Sequence, residues 1–174
     1  MGLDNLNHPY YGGWGGRFAI SKDNPNRFED NESAADFNPE LGKLDINYAQ
    51  TRWLIALQED FAARAEWCIK SYKDSNHPPI IQIQDGTLLK AKAGQKIRLH
   101  IQATDPDKHP VDLNIWPYSE AGNGKTITSL QGNMAFAEIP KDAKKGQQFH
   151  VIVEGKDRGT PSLTRYRRVI IQVI

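Results

Sequence analysis

Apolar residues change their spacing once along the chain. Between residues 47 and 74, Trp53, Leu57, Phe61, Ala65 and Cys68 recur at steps of four and three, and Tyr72 extends the row. That spacing predicts a helix over 47–74 with the row on one face. No Gly or Pro interrupts it, and good helix formers fill it (Ala56, Leu57, Gln58, Glu59, Ala62, Ala63, Arg64). Asn47 with Gln50 three residues on is a capping-box-like pair for the free amides of the first turn. Ile55, Ala62 and Trp67 lie off the row, so burial on more than one side is expected. Cys68, on the row, reads as a small buried hydrophobe. Asn76-His77-Pro78-Pro79 ends the helix, because proline lacks an amide donor and disfavours helical geometry before it.

From residue 80 the period drops to two. Ile97, Leu99, Ile101 and Ala103 alternate with polar residues, as do Val111, Leu113 and Ile115. Phe149, Val151 and Val153 form a third strong row and Val169, Ile171 and Val173 a fourth. Weaker strands are expected at 80–84, 88–92, 126–129 and 133–139, with Gly, Asp, Asn and Pro turn signals between them. Such a run of short strands with no helix between them predicts a mainly β fold, an Ig-like antiparallel β-sandwich. The Cys pair of an immunoglobulin domain is absent. Residues 1–46 are rich in Gly, Asn, Asp and Pro, and their aromatics come in knots (Tyr10-Tyr11, Trp14, Phe18, Phe28, Phe37). A structureless stretch of that length inside a compact domain is improbable, so an extended arm that wraps another surface is expected. The organisation predicted is therefore an arm and helix over 1–77 and a sandwich over 78–174.

Composition narrows the function classes. Across 174 residues, 22 Lys plus Arg face 21 Asp plus Glu, a net charge of +1, so no field gathers nucleic acid or anionic lipid. The basic run Arg165-Tyr166-Arg167-Arg168 is split across two sheet faces by alternation and lacks interleaved aromatics for base stacking, so nucleic acid is not an expected partner. No apolar run reaches the roughly 20 residues of a membrane span. Met1-Gly2-Leu3-Asp4-Asn5 has neither a basic start nor an apolar core, so no signal peptide is expected in this chain. The single cysteine excludes an intrachain disulfide. Asn31-Glu32-Ser33 fits a glycosylation sequon.

Few residues suggest chemistry. No G-x-S-x-G, H-E-x-x-H or C-x-x-C motif is present, and the five histidines have no ligand spacing. His100 and His150 fall on the polar phase of their strands and read as solvated. Asp105 and Asp107, with Asp157, are a candidate weak Ca²⁺ site; the favoured alternative is a turn held by its own Asx hydrogen bonds. No other cofactor is called for. Gly12-Gly13-Trp14-Gly15-Gly16-Arg17 is neither a phosphate loop nor a dinucleotide fingerprint. It reads either as backbone passing close to another surface, with Trp14 as anchor and Arg17 paired to an acid, or as a flexible loop. Aromatic faces pack the axial C–H bonds of sugars, which makes Trp116 and Tyr118, with Tyr10, Tyr11 and Trp14, candidate stacking groups. Filling a core is the competing role of such rings. Glu120 is a candidate polar companion.

Four ordered stretches carry a resemblance: Gly12–Arg17, Asp60–Arg64 followed by Glu66-Trp67, Asn76–Pro79, and Gly159–Val169. Together with Asp105-Pro106-Asp107, Trp116 and Glu120-Ala121-Gly122, they resemble the C-terminal part of a bacterial family. That family has a nucleoside-hydrolase-like N-terminal domain and a β-sandwich known as the C-terminal domain of a cellulose-binding protein. The family often has Asp-Pro-Asp-Gly-Asp where this chain has Lys108 and His109. The resemblance implies that residues 1–77 close off a hydrolase-like domain whose catalytic part lies outside this chain, so no enzyme activity is expected of it alone. It implies a noncatalytic module of a secreted or periplasmic protein tied to polysaccharide metabolism. Trp116, Tyr118 and Glu120 would face carbohydrate. Trp14, Arg17, Trp53, Phe61, Arg64 and Trp67 would line an interface, with the hydrolase-like domain or a second copy as partner through residues 1–74. The alternatives are a purely structural domain that shapes the hydrolase-like one, and an incomplete hydrolase acting on N-glycosidic bonds.

Overall fold

The computed structural model describes residues 3, 8–30 and 32–174. The expectations for the chain start, other than Leu3, and for the sequon at Asn31 lie outside them. The arm is less irregular than its composition predicts. It contains two small hairpins, β1 (Ala19–Ile20) with β2 (Phe28–Glu29) and β3 (Asp36–Asn38) with β4 (Lys43–Asp45). Two helices follow, α1 (Tyr48–Thr51) and α2 (Leu54–Trp67). The single long helix is thus broken at Arg52-Trp53, and it ends at Cys68, short of the predicted 74. Asn47 gives no side-chain cap; it is already helical, and its own amide is held by Asp45 Oδ1 at 2.9 Å.

The sandwich strands are β5 (Ile80–Ile83), β6 (Leu88–Ala91), β7 (Lys96–Thr104), β8 (Val111–Pro117), β9 (Ile127–Gln131), β10 (Met134–Glu138), β11 (Gln148–Asp157) and β12 (Thr164–Val173). They form two four-stranded sheets, β5-β7-β10-β9 and β6-β12-β11-β8. All pairings are antiparallel except β6 with β12, an edge strand running parallel to its neighbour. Register follows the apolar rows: Leu99 lies opposite Ala135, and Val151 opposite Val169. These residues, with Ile81, Ile101, Val153 and Ile171, meet between the sheets as one core. Burying alternate positions is what fixes the register, since a slip by one residue would turn every apolar side chain outward.

A second apolar cluster covers the far face of the β6-β12-β11-β8 sheet. Leu3, Trp14, Trp53 and Ala56 from the arm and helix pack there on Tyr118, Ile152 and Tyr166. The aromatic arm therefore wraps its own sandwich. Of the helix row meant to be buried only Trp53 is so, and Leu57 partly: Phe61, Ala65, Cys68 and Tyr72 are exposed. The inward face of α2 carries Ala56, Asp60 and Ala63, which lie off the row. The larger Ile55 and Phe61 are 71% and 74% exposed. His150, expected in solvent, is buried because the arm covers its side of β11. Among the described residues no helix is long and apolar enough to cross a membrane.

Candidate functional site

Where α2 crosses the outer sheet face it leaves an open crevice of about 440 Å³. One wall is helical, with Tyr48, Arg52, Ile55 and Glu59; the other is strand, with Asn114 and Trp116 of β8, Glu154 and Lys156 of β11, and Tyr166 of β12. The strands place these polar groups by alternation: Glu154 and Lys156 share a face with the buried Ile152. The half-buried Trp116 indole donates to Glu154 Oε2 at 3.3 Å, and the Arg52 guanidinium lies 4.5 Å from the centre of a Trp116 ring. At the other end Lys156 pairs with Glu59 at 3.4 Å. Burial first, then the charges of Glu154 and Glu59, push the Tyr166 phenol above its ordinary value, so it stays a neutral wall group. The crevice thus combines one aromatic wall with donors and acceptors of both signs, suited to a polar, hydroxyl-rich ligand.

Of the three residues predicted to face carbohydrate, only Trp116 lines this crevice. Tyr118 is fully buried and its hydroxyl donates to Asp36 Oδ2 at 2.6 Å, so it has no free face. Glu120 Oε1 accepts the Phe37 amide at 2.9 Å and fastens the β3–β4 hairpin. Arg52, Asn114, Glu154 and Lys156 were missed by sequence reasoning. Their signal was faint: two charged residues on one phase of a strand whose same phase also holds Ile152.

The predicted interface residues divide. Trp14 and Trp53 are buried in the chain's own second cluster. Arg17 is buried too, and donates from Nε to Asp36 Oδ1 at 2.8 Å. Asp36 also takes Arg52 Nη1 at 3.1 Å, so one buried carboxylate joins the glycine-rich segment, the α1–α2 turn and, through Tyr118, the sandwich. Burial and the Asp36 charge hold the Tyr118 phenol well above its ordinary pKa, which keeps it a donor. Gly12 runs directly against the Tyr118 ring end at φ +79°, where a side chain would have neither room nor an easy backbone conformation. Phe61 stays uncovered, Arg64 pairs with Asp60 at 2.6 Å, and Trp67 donates its indole N–H to Asn76 O at 2.9 Å.

The three predicted metal ligands do not converge. Asp157 is buried and fully used: it accepts Asn76 Nδ2 at 3.0 Å and the amides of Gly159 and Leu163 at 2.9 Å each. Asp105 and Asp107 are instead gathered with His109. The expected Asx turn is there as well, Asp105 Oδ1 accepting the amides of Asp107 and His109.

Fold and site together define a two-sheet sandwich with an aromatic arm and a helix laid over one outer face. Residues 96–173 match the family described as cellulose-binding protein Sde0182, C-terminal domain, in agreement with the resemblance read from the motifs. The whole chain is similar to a solved structure of a nucleoside hydrolase-related hypothetical protein from Saccharophagus degradans that is associated with carbohydrate metabolism, at 27% identity and a TM-score of 0.79. That likeness covers 99% of this chain and 44% of that protein, so the chain spans less than half of its relative's length. Looser likenesses are to the SrpA adhesin of Streptococcus sanguinis, at 14% identity and a TM-score of 0.39 over 56% of this chain and 57% of that one, and to a chimeric titin Z1Z2, at 13% and 0.31 over 57% and 99%. No curated protein matches.

Proposed function

We propose that the chain is a noncatalytic, carbohydrate-binding module of a secreted, nucleoside hydrolase-related protein, and that the crevice beside Trp116 is where sugar binds. The observation that carries this reading is the crevice itself: an indole wall flanked by Arg52, Asn114, Glu154 and Lys156, in a chain whose relatives are a cellulose-binding domain family and a carbohydrate-associated protein. Because Arg52 already lies near the Trp116 ring, sugar contacts the indole edge and is held mainly by hydrogen bonds. Retention is measured on insoluble cellulose and by affinity electrophoresis in soluble glycans. Trp116→Ala and the exposed Asn114→Ala should each weaken it roughly tenfold, the loss of one good contact. No retention on any glycan at millimolar sites removes the claim.

A structural role alongside binding is favoured by one further observation. Phe37, Leu41, Leu44, Leu54, Ile55 and Phe61 remain exposed on the arm and helix. Uncovered apolar side chains in such number suit a partner surface. We infer that residues 1–77 form the closing edge of a hydrolase-like domain and that this face packs on it. Failure of a separately expressed hydrolase-like half to capture the chain would remove this partner.

A further inference from the structure

The turn between β7 and β8 runs Asp105-Pro106-Asp107-Lys108-His109. One ligating atom from each of Asp105, Asp107 and His109 lies within 4.8 Å of the other two. Asp105 is folded under the turn, its side chain 0% exposed. Its Oδ1 accepts two backbone amides, at 2.9 and 3.0 Å, but its equally buried Oδ2 has no hydrogen-bond partner. His109 Nδ1 is also buried without a hydrogen-bond partner, 3.7 Å from Asp105 Oδ1. Two polar atoms of one cluster, buried and left unsatisfied, are costly. A cation between them removes that cost. Asp107 is held from behind by His77, whose amide donates to Oδ2 at 2.6 Å and whose Nδ1 lies 3.1 Å from Oδ1, an outer contact of the kind that orients a ligating carboxylate.

We propose that Asp105, Asp107 and His109 bind one divalent transition ion of the Zn²⁺ class, with Asp105 Oδ2 and His109 Nδ1 as ligating atoms and water completing the shell. An imidazole beside two carboxylates suits Zn²⁺, whereas Ca²⁺ takes six to eight oxygens. Lys108 is exposed, at φ +66°. The bound ion ties the β7–β8 turn to the helix–strand linker through the Asp107–His77 contact.

The test is calorimetry of the full chain with ZnCl₂ and, separately, CaCl₂, together with visible absorption of the Co²⁺ form. One Zn²⁺ per chain is expected, with His109→Gln and Asp105→Asn each weakening it at least about tenfold and changing the Co²⁺ spectrum. Asp105→Asn keeps the Oδ1 acceptor for both amides and His109 is partly exposed, so both variants should fold. No Zn²⁺ heat, Zn²⁺ binding in both variants as tight as in the unsubstituted chain, or Ca²⁺ binding indifferent to His109→Gln would each overturn the proposal.

Discussion

The two sheets of the sandwich present opposite outer faces. On β7 the pattern is clean: Ile97, Leu99 and Ile101 are buried while Lys96, Arg98 and Gln102 are exposed, because nothing among the described residues covers that side. On β11, Phe149 to Val153 are buried without a break, and β12 buries Tyr166 and Arg168 on the same outer side. Arg168 donates there to the carbonyls of Leu3, Tyr11 and Gly12 at 2.8 to 3.0 Å and to His150 Nδ1 at 2.9 Å. An antiparallel sheet facing water alternates; one covered on both sides loses its alternation. The continuous burial along β11, and the burial of Tyr166 and Arg168 on β12, are the mark of the arm.

Breaking the covered face should cost most. Trp53→Ala removes the largest fully buried side chain, and a loss of about 3–5 kcal/mol is expected in denaturant unfolding; a cost under about 1 kcal/mol would mean that the arm contributes little. The next effect is pH dependence. Burial, and then the Arg168 charge, push the His150 imidazole down to about 3, so the folded chain resists a proton that the unfolded chain accepts near pH 6.5. Stability is therefore complete above that value and falls as pH drops through the window toward 3. Between pH 7 and 5 the expected loss is about 2 kcal/mol. Replacement by His150→Asn should flatten that slope in melts at the two pH values. The smallest effect belongs to the open face, where Lys96 and Glu138 pair at 2.9 Å while about half exposed. Lys96→Ala should change stability by less than about 0.5 kcal/mol, and a larger change would show that face to be more than solvated surface.

The eight sandwich strands were legible because burial on one face leaves a period of two. What the sequence concealed is which surface covers which residue. Phe61 and Trp53 lie on one four-residue row, yet α2 turns Trp53 and its small residues to the sheet and Phe61 away. Tyr118 and Trp116 are near neighbours of equal aromatic promise. Asp36, 82 residues earlier, and the arm residues packed on its ring make Tyr118 interior. His150 looked solvated because its polar phase is covered by a segment more than a hundred residues away. The resemblance implied an interface with a hydrolase-like domain for Gly12–Arg17 and the helix, whereas Trp14 and Trp53 pack on the chain's own sandwich. His109 was passed over since a histidine four residues from an aspartate becomes its neighbour only once the turn closes.

The grip of Arg168 on Leu3, Tyr11 and Gly12 spans 165, 157 and 156 positions of chain. During synthesis this clasp on the aromatic turn therefore cannot close until β12, more than 150 residues later, has left the ribosome. A fragment lacking β12 therefore forfeits the clasp on Leu3, Tyr11 and Gly12.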